Sequence, residues 1–161
     1  LVKNKYTLQI DEFKLQCCIG KRGSTKNKKE GDKKTPKGTF QLENLYFRKD
    51  RIKKPTTHLK CIEINNSMGW CDDVNFSKKY NQLIKINKRI SHEKLRRNDY
   101  KYDLLIPIKY NFKKPITGLG SCIFIHLTKN YQPTAGCVAL KKKDFLIMLK
   151  LIKKNSKIKI F

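Results

Sequence analysis

The sequence predicts a mostly β fold with one C-terminal helix, and three observations carry that prediction. Short apolar or alternating runs are separated by turn-forming residues along most of the chain. Only the segment behind Asp144 repeats apolar residues at clear helical spacing, with Phe145, Leu146, Met148, Leu149 and Ile152 in phase. No linker divides the 161 residues, a length suited to one core, so residues 1–161 are expected to form a single domain.

Strands are expected at Tyr6–Ile10, Phe13–Ile19, Thr39–Phe47, Cys61–Ile64, Leu104–Tyr110 and Ser121–His126, each rich in β-branched, aromatic or alternating residues. The lysine-rich stretch Lys21–Lys34 is long for a hairpin loop and is expected to be either mobile or packed over a site. In the block Gly31–Phe40, Pro36 fixes φ and Gly38 supplies a conformation other residues resist. The block reads as a tight turn feeding a strand. Residues 66–103 show little alternation and predict a loop-rich insert, with a short helix near Ser91–Arg97. Asp144 has the chemistry of an N-cap for the C-terminal helix, and Lys157–Phe161 closes the chain as a strand. No run approaches the roughly 18 apolar residues of a membrane-crossing helix. The chain opens at Leu1 and soon enters a strand-like run, so no signal peptide is expected within it.

Charge and cysteine content bound the function classes. The formal net charge of +25 invites a nucleic-acid reading. However, lysine outnumbers arginine 32 to 6, whereas base readout and stacking rely on arginine. The lysines are scattered over turns and strand faces, so most are expected to be solvated surface that also attracts carboxylate-bearing polymers. Six cysteines, at 17, 18, 61, 71, 122 and 137, show no C-x2-C spacing, which gives a structural zinc site little support. Cys61 with Cys71 is the first pair to consider for a disulfide. His58 and His92 lie in polar or basic stretches and are expected at the surface.

The chemistry concentrates in Ile123–Leu140, IFIHLTKNYQPTAGCVAL. An apolar run ends at His126, and Cys137 follows across a polar loop. Cysteine nucleophiles need help to lose a proton near neutrality, and an imidazole supplies it. Gly136 lets the backbone approach a substrate carbonyl, leaving the Cys137 N–H as an oxyanion donor. Read alone, the spacing is equally that of a histidine at a strand end and a small buried thiol.

Three ordered blocks decide between these readings. Thr134-Ala135-Gly136-Cys137-Val138 resembles the S/T-x-G-C-hydrophobic nucleophile motif of the L,D-transpeptidase catalytic domain family (YkuD type), whose catalytic histidine lies upstream at a strand end, as His126 does. Thr35-Pro36-Lys37-Gly38-Thr39-Phe40 resembles that family's T-P-x-G-x-F signature. Gly69-Trp70-Cys71-Asp72-Asp73 followed by Tyr80-Asn81 resembles a compact, single-domain branch of it, so the likeness spans nearly the whole chain. Three positions depart. Many members carry histidine where Ala135 stands and arginine where Ala139 stands, and Leu127 replaces the Gly or Ser that often follows the histidine, so a backbone carbonyl is expected to hold the His126 Nδ1 proton.

The resemblance implies a small β-sandwich or flattened barrel with one C-terminal helix and a loop-rich insert. It implies a peptidoglycan L,D-transpeptidase of the bacterial periplasm or cell envelope, acting without cofactor or metal. Its partners would be peptidoglycan stem peptides and, in some cases, an amine on an envelope protein. No specific nucleic acid is implied, and a monomer is expected. Cys137 would be the nucleophile and His126 the base, with a pKa near working pH. Gly136, Thr134, Gly120, Trp70, Asp72 and Asp73 would serve the oxyanion or the substrate, with Gly118 and Gly120 giving the donor room. One alternative is an L,D-carboxypeptidase using the same pair on water. The alternative from another class is a basic module that binds nucleic acid or wall polymer, with His126 and Cys137 merely structural. That module rests on charge alone, and the enzyme rests on three coinciding blocks.

Overall fold

Alternating side chains give the central sheet two buried faces, and what covers each face decides where a site can form. The structure is a computed structural model whose described residues are 6–10 and 12–161. The segment preceding Tyr6, where no signal peptide is expected, lies outside them. In chain order the strands are β1 (Tyr6–Ile10), β2 (Phe13–Cys18), β3 (Ser24–Thr25), β4 (Thr35–Pro36), β5 (Gly38–Gln41), β6 (Leu45–Phe47), β7 (Cys61–Glu63), β8 (Met68–Cys71), β9 (Leu83–Lys85), β10 (His92–Lys94), β11 (Leu104–Pro107), β12 (Phe124–Leu127), β13 (Val138–Leu140) and, after helix α1 (Lys142–Leu151), β14 (Lys157–Ile160). Seven of them form one sheet in the order β1-β2-β13-β12-β11-β6-β7, and β10-β8-β9 form a second. β14 pairs with β5, and β3 with β4.

Period-2 alternation sorts the central strands. Leu104, Ile106, Ile125, Leu127, Val138 and Leu140 point to one face, where Phe145, Met148 and Leu149 of α1 join them. Tyr46, Leu105, Phe124 and Cys137 belong to the opposite face and pack with Trp70, Leu95 and Tyr102 of the 66–103 insert. Burial of each such side chain stabilises by about 1.5–3 kcal/mol, so a one-residue slip that exchanged the faces would be prohibitive. β12 and β13 run parallel in the middle of the sheet, with Ile125 opposite Val138 and His126 opposite Ala139.

The mostly β class with one C-terminal helix is what the structure shows, with several local differences. The expected Thr39–Phe47 strand divides into β5 and β6, and β12 begins later than expected because Cys122 takes a left-handed φ of 53°. The insert is not merely loops, since it holds a three-stranded sheet. The expected helix near Ser91–Arg97 is instead β10, whose His92, Glu93 and Lys94 pair with Cys71, Trp70 and Gly69. Ladder partners outweigh local preference there. Lys141, not Asp144, is the N-cap of α1, without a side-chain cap bond, and Asp144 lies in the first turn, where a carboxylate complements the helix dipole. Cys61 and Cys71 are both free thiols on strands of different sheets. His58 is exposed, whereas His92 is half-buried, its ring lying where a side chain at Gly69 would stand.

Candidate active site

Two of the sequence blocks meet at backbone level. Thr35 is fully buried, and its Oγ1 accepts the Gly20 N–H at 2.9 Å. Lys21 N–H donates to the Thr134 carbonyl at 2.9 Å and Thr134 N–H to the Ile19 carbonyl at 3.0 Å, so the chain at 19–21 is sutured to the loop before Cys137. The Lys34 carbonyl presses on Gly136 so closely that an added Cβ there would lie 2.9 Å from it, at a φ of +147° that disfavours side chains. The T-P-x-G-x-F segment is thus the wall against which the nucleophile loop is set, not only a turn.

Thr134 fixes that loop from within. Its hydroxyl donates to the Cys137 carbonyl at 2.6 Å and accepts the Gly136 N–H at 3.1 Å. The Cys137 thiol donates to the Cys122 carbonyl at 3.1 Å and accepts the Phe124 N–H at 3.4 Å. Cys122 can offer that carbonyl because of its left-handed backbone, which Asn81 holds. Asn81 Oδ1 accepts both the Trp70 indole N–H at 2.9 Å and the Cys122 N–H at 3.1 Å, while its Nδ2 donates to the carbonyls of Tyr110 and Asn111. All four hydrogen-bonding positions of the amide are used. Asn81→Ala would strand two buried donors, at about 1–3 kcal/mol each, so we expect a loss on the order of 3 kcal/mol in denaturant unfolding. Trp70→Phe, which leaves the Cys122 bond in place, should lose clearly less.

His126 lies on β12 on the same face as Phe124, and Cys137 precedes β13 on that face too. His126 Nδ1 is 3.0 Å from the Leu127 carbonyl, which can only accept. The proton is therefore on Nδ1 and the lone pair on Nε2, the tautomer a general base requires. Tyr102 braces the ring at 5.4 Å between centroids, and its hydroxyl donates to Glu93 Oε1 at 2.5 Å. Arg97 stacks 5.0 Å above Tyr102.

Both His126 and Cys137 line one cavity of about 450 Å³, bordered also by Lys28, Glu30, Asp72, Glu93, Arg97, Lys101, Tyr102 and Ser121. Burial pushes the Cys137 thiol up to about 12, and the charge of Glu93 adds to the rise. Burial takes His126 down to about 4, with Lys101 and Arg97 adding to the fall against the Leu127 hydrogen bond. The histidine is therefore not poised near neutral pH as the sequence suggested. At rest the thiol and the imidazole that line this cavity are therefore both neutral.

The family model of the L,D-transpeptidase catalytic domain, YkuD, matches residues 3–160. The chain belongs to this family. No curated protein and no solved structure matches it. Within the family's motifs the structure draws together Cys137, His126, Gly136, Thr134 and Asp72 at the cavity, but not Trp70, Asp73 or Gly120. Trp70 is buried behind the site, edge-on to Phe124 at 5.3 Å. Asp73 accepts the N–H groups of Asn75 and Ser91 and ties a turn. The space beside Gly120 is filled by Lys28, and the Gly118 carbonyl accepts the Glu30 N–H, so these glycines admit the lysine-rich loop. That loop is packed over the site. Lys28 is 4% exposed, with its ammonium on Asp32 at 2.7 Å, and Glu30 accepts from Tyr80 and Ser121. Glu93, Tyr102 and Lys101 escaped sequence reasoning because they lie in an insert without periodicity.

Proposed function

We propose that residues 1–161 act as one L,D-transpeptidase catalytic domain at the bacterial cell envelope. The observation that carries this reading is that His126, its basic nitrogen at Nε2, and Cys137 share one sheet face and one cavity. The Cys137 sulfur attacks the carbonyl of the third residue of a tetrapeptide stem as its proton passes to His126 Nε2. Because the resting pair is neutral, proton transfer accompanies attack, and the Phe124 N–H that already donates to sulfur stabilises the developing thiolate. The oxyanion is held by the Cys137 N–H. The Gly136 N–H is committed to Thr134, whose part is to hold the loop. The imidazolium, a strong acid in this buried setting, returns the proton to the departing D-alanine amine. An acceptor amine then resolves the thioester as a 3→3 crosslink or as an anchored envelope protein.

An amine acceptor arrives as an ammonium, and Asp72 and Glu93 supply negative charge on the cavity wall. Asp72 Oδ1 accepts from the Ser91 hydroxyl at 2.7 Å, an exposed partner. Asp72→Asn should therefore weaken use of an amine acceptor several-fold more than acylation by a carbapenem, which carries no acceptor amine. Equal losses would make Asp72 structural. Charge as the sole function fits less well, because four arginines, at 48, 51, 96 and 97, are engaged in ion pairs with Asp50, Asp103 and Asp99. The test of the reading is intact-mass analysis after carbapenem exposure, followed by product analysis with tetrapeptide donor and amine. A one-to-one adduct and crosslinked product are expected. Tripeptide alone would indicate the L,D-carboxypeptidase, and no adduct with no turnover would overturn the enzyme.

A further inference from the structure

The leaving group imposes a charge requirement that the catalytic pair does not meet. This inference rests on the transpeptidase reading. In that reaction His126 protonates the amine of the departing terminal residue, and the free carboxylate of that residue begins only two covalent bonds from that nitrogen. A cation standing beside His126 would therefore meet that carboxylate. Ala139, the residue opposite His126 in register, is fully buried and carries no charge.

Among the described residues four cations border the cavity, namely Lys28, Lys33, Arg97 and Lys101. Lys28 is buried and spent on Asp32 and the Lys29 carbonyl. Lys33 belongs to the loop whose carbonyl crowds Gly20, alongside the nucleophile loop. Arg97 is held by Asp99 at 2.8 Å and stacked on Tyr102.

Lys33 is also exposed and outside the ion pairs among the described residues, but its carbonyl accepts the Arg22 N–H, so its backbone is not anchored to the histidine strand, whereas that of Lys101 is. The Lys101 carbonyl accepts the N–H of Leu127, the residue after His126, at 2.9 Å, and its own N–H is fixed by Asp99 Oδ1 at 3.1 Å. The backbone is thereby anchored next to the histidine while the side chain remains exposed. Its ammonium takes part in none of the ion pairs among the described residues. It is also the cation acting most strongly on His126, ahead of Arg97.

We propose that Lys101 forms the binding site for the terminal carboxylate of the donor stem peptide. It is a specificity-determining residue rather than part of the proton transfer. It selects donors that end in a free acid.

The experiment compares a tetrapeptide donor with its C-terminal carboxamide, using the parent, Lys101→Ala and Lys101→Arg. In the parent, amidation should raise KM about tenfold with kcat little changed, a modest value suited to a charge-assisted contact at an exposed side chain. Lys101→Ala should raise KM for the acid by a similar factor, leave the carboxamide unchanged and erase the difference between the two. Lys101→Arg should restore most of the preference. Equal effects of Lys101→Ala on both donors, or a surviving acid preference in that variant, would overturn the inference while leaving the enzyme reading intact. A parent that turns over neither donor overturns the enzyme reading and this inference with it.

Discussion

Replacing Cys137 by alanine is expected to abolish carbapenem adduct formation and to lower donor turnover by at least about 10⁴-fold, because the other thiol on the cavity wall, Cys122, directs its sulfur to the Trp70 carbonyl. Reactivity cannot be assigned by acidity alone. Burial raises Cys17 to about 12, Cys18 to about 11 and Cys122 well above the usual thiol range, much as it raises Cys137. Access and a base distinguish them. Cys17 and Cys18 do not line the cavity, and Cys122, which does, directs its sulfur to the Trp70 carbonyl at 3.8 Å. Cys122→Ala should accordingly keep its adduct, and Cys137→Ser should lose it, since a serine hydroxyl is far less acidic than the thiol. Neither Cys137 variant should melt far from the parent, because the sulfur contributes two weak hydrogen bonds. An adduct that persists in a folded Cys137→Ala protein, or that maps to Cys122, would rule out this nucleophile.

What the sequence revealed and what it hid follow from range of interaction. Alternation and apolar runs placed β1, β2 and β11 closely, because each has enough residues to show a pattern and a buried face to enforce it. The three-residue strands β9, β10 and β13 show no period, and their existence depends on partners remote in sequence. At the site, the T-x-G-C and T-P-x-G-x-F blocks were legible because close contacts constrain residue type directly, the Lys34 carbonyl against Gly136 and the buried Thr35 hydroxyl on the Gly20 N–H. The meaning of Trp70-Cys71-Asp72-Asp73 was not, since neighbouring residues separate here into a buried indole on Asn81, a cavity carboxylate and a turn. Lys101 was invisible for another reason. A lysine among 38 basic residues acquires its place only through the Leu127 hydrogen bond.

His126→Ala should slow carbapenem acylation by roughly 10²- to 10⁴-fold, the usual contribution of a positioned general base, and the shape of its pH profile should change as well. In the parent, thiol and imidazole are both neutral between the His126 value near 4 and the Cys137 value near 12, so moving the proton from sulfur to nitrogen alters no net protonation. The parent rate should therefore be nearly flat through neutrality and fall only as acid protonates His126. Without the imidazole, attack must await ionisation of the thiol by solvent. The His126→Ala rate should then climb about tenfold per pH unit across the same range, because the thiolate fraction does so below the thiol pKa. Salt gives a second reading. Catalysis inside the cavity should change little at roughly 0.5 M salt, where the Debye length is only a few ångströms, whereas association driven by the +25 charge should collapse. A His126→Ala protein that acylates as fast as the parent, with all ligand association lost in salt, would leave charge as the function and remove the catalytic pair.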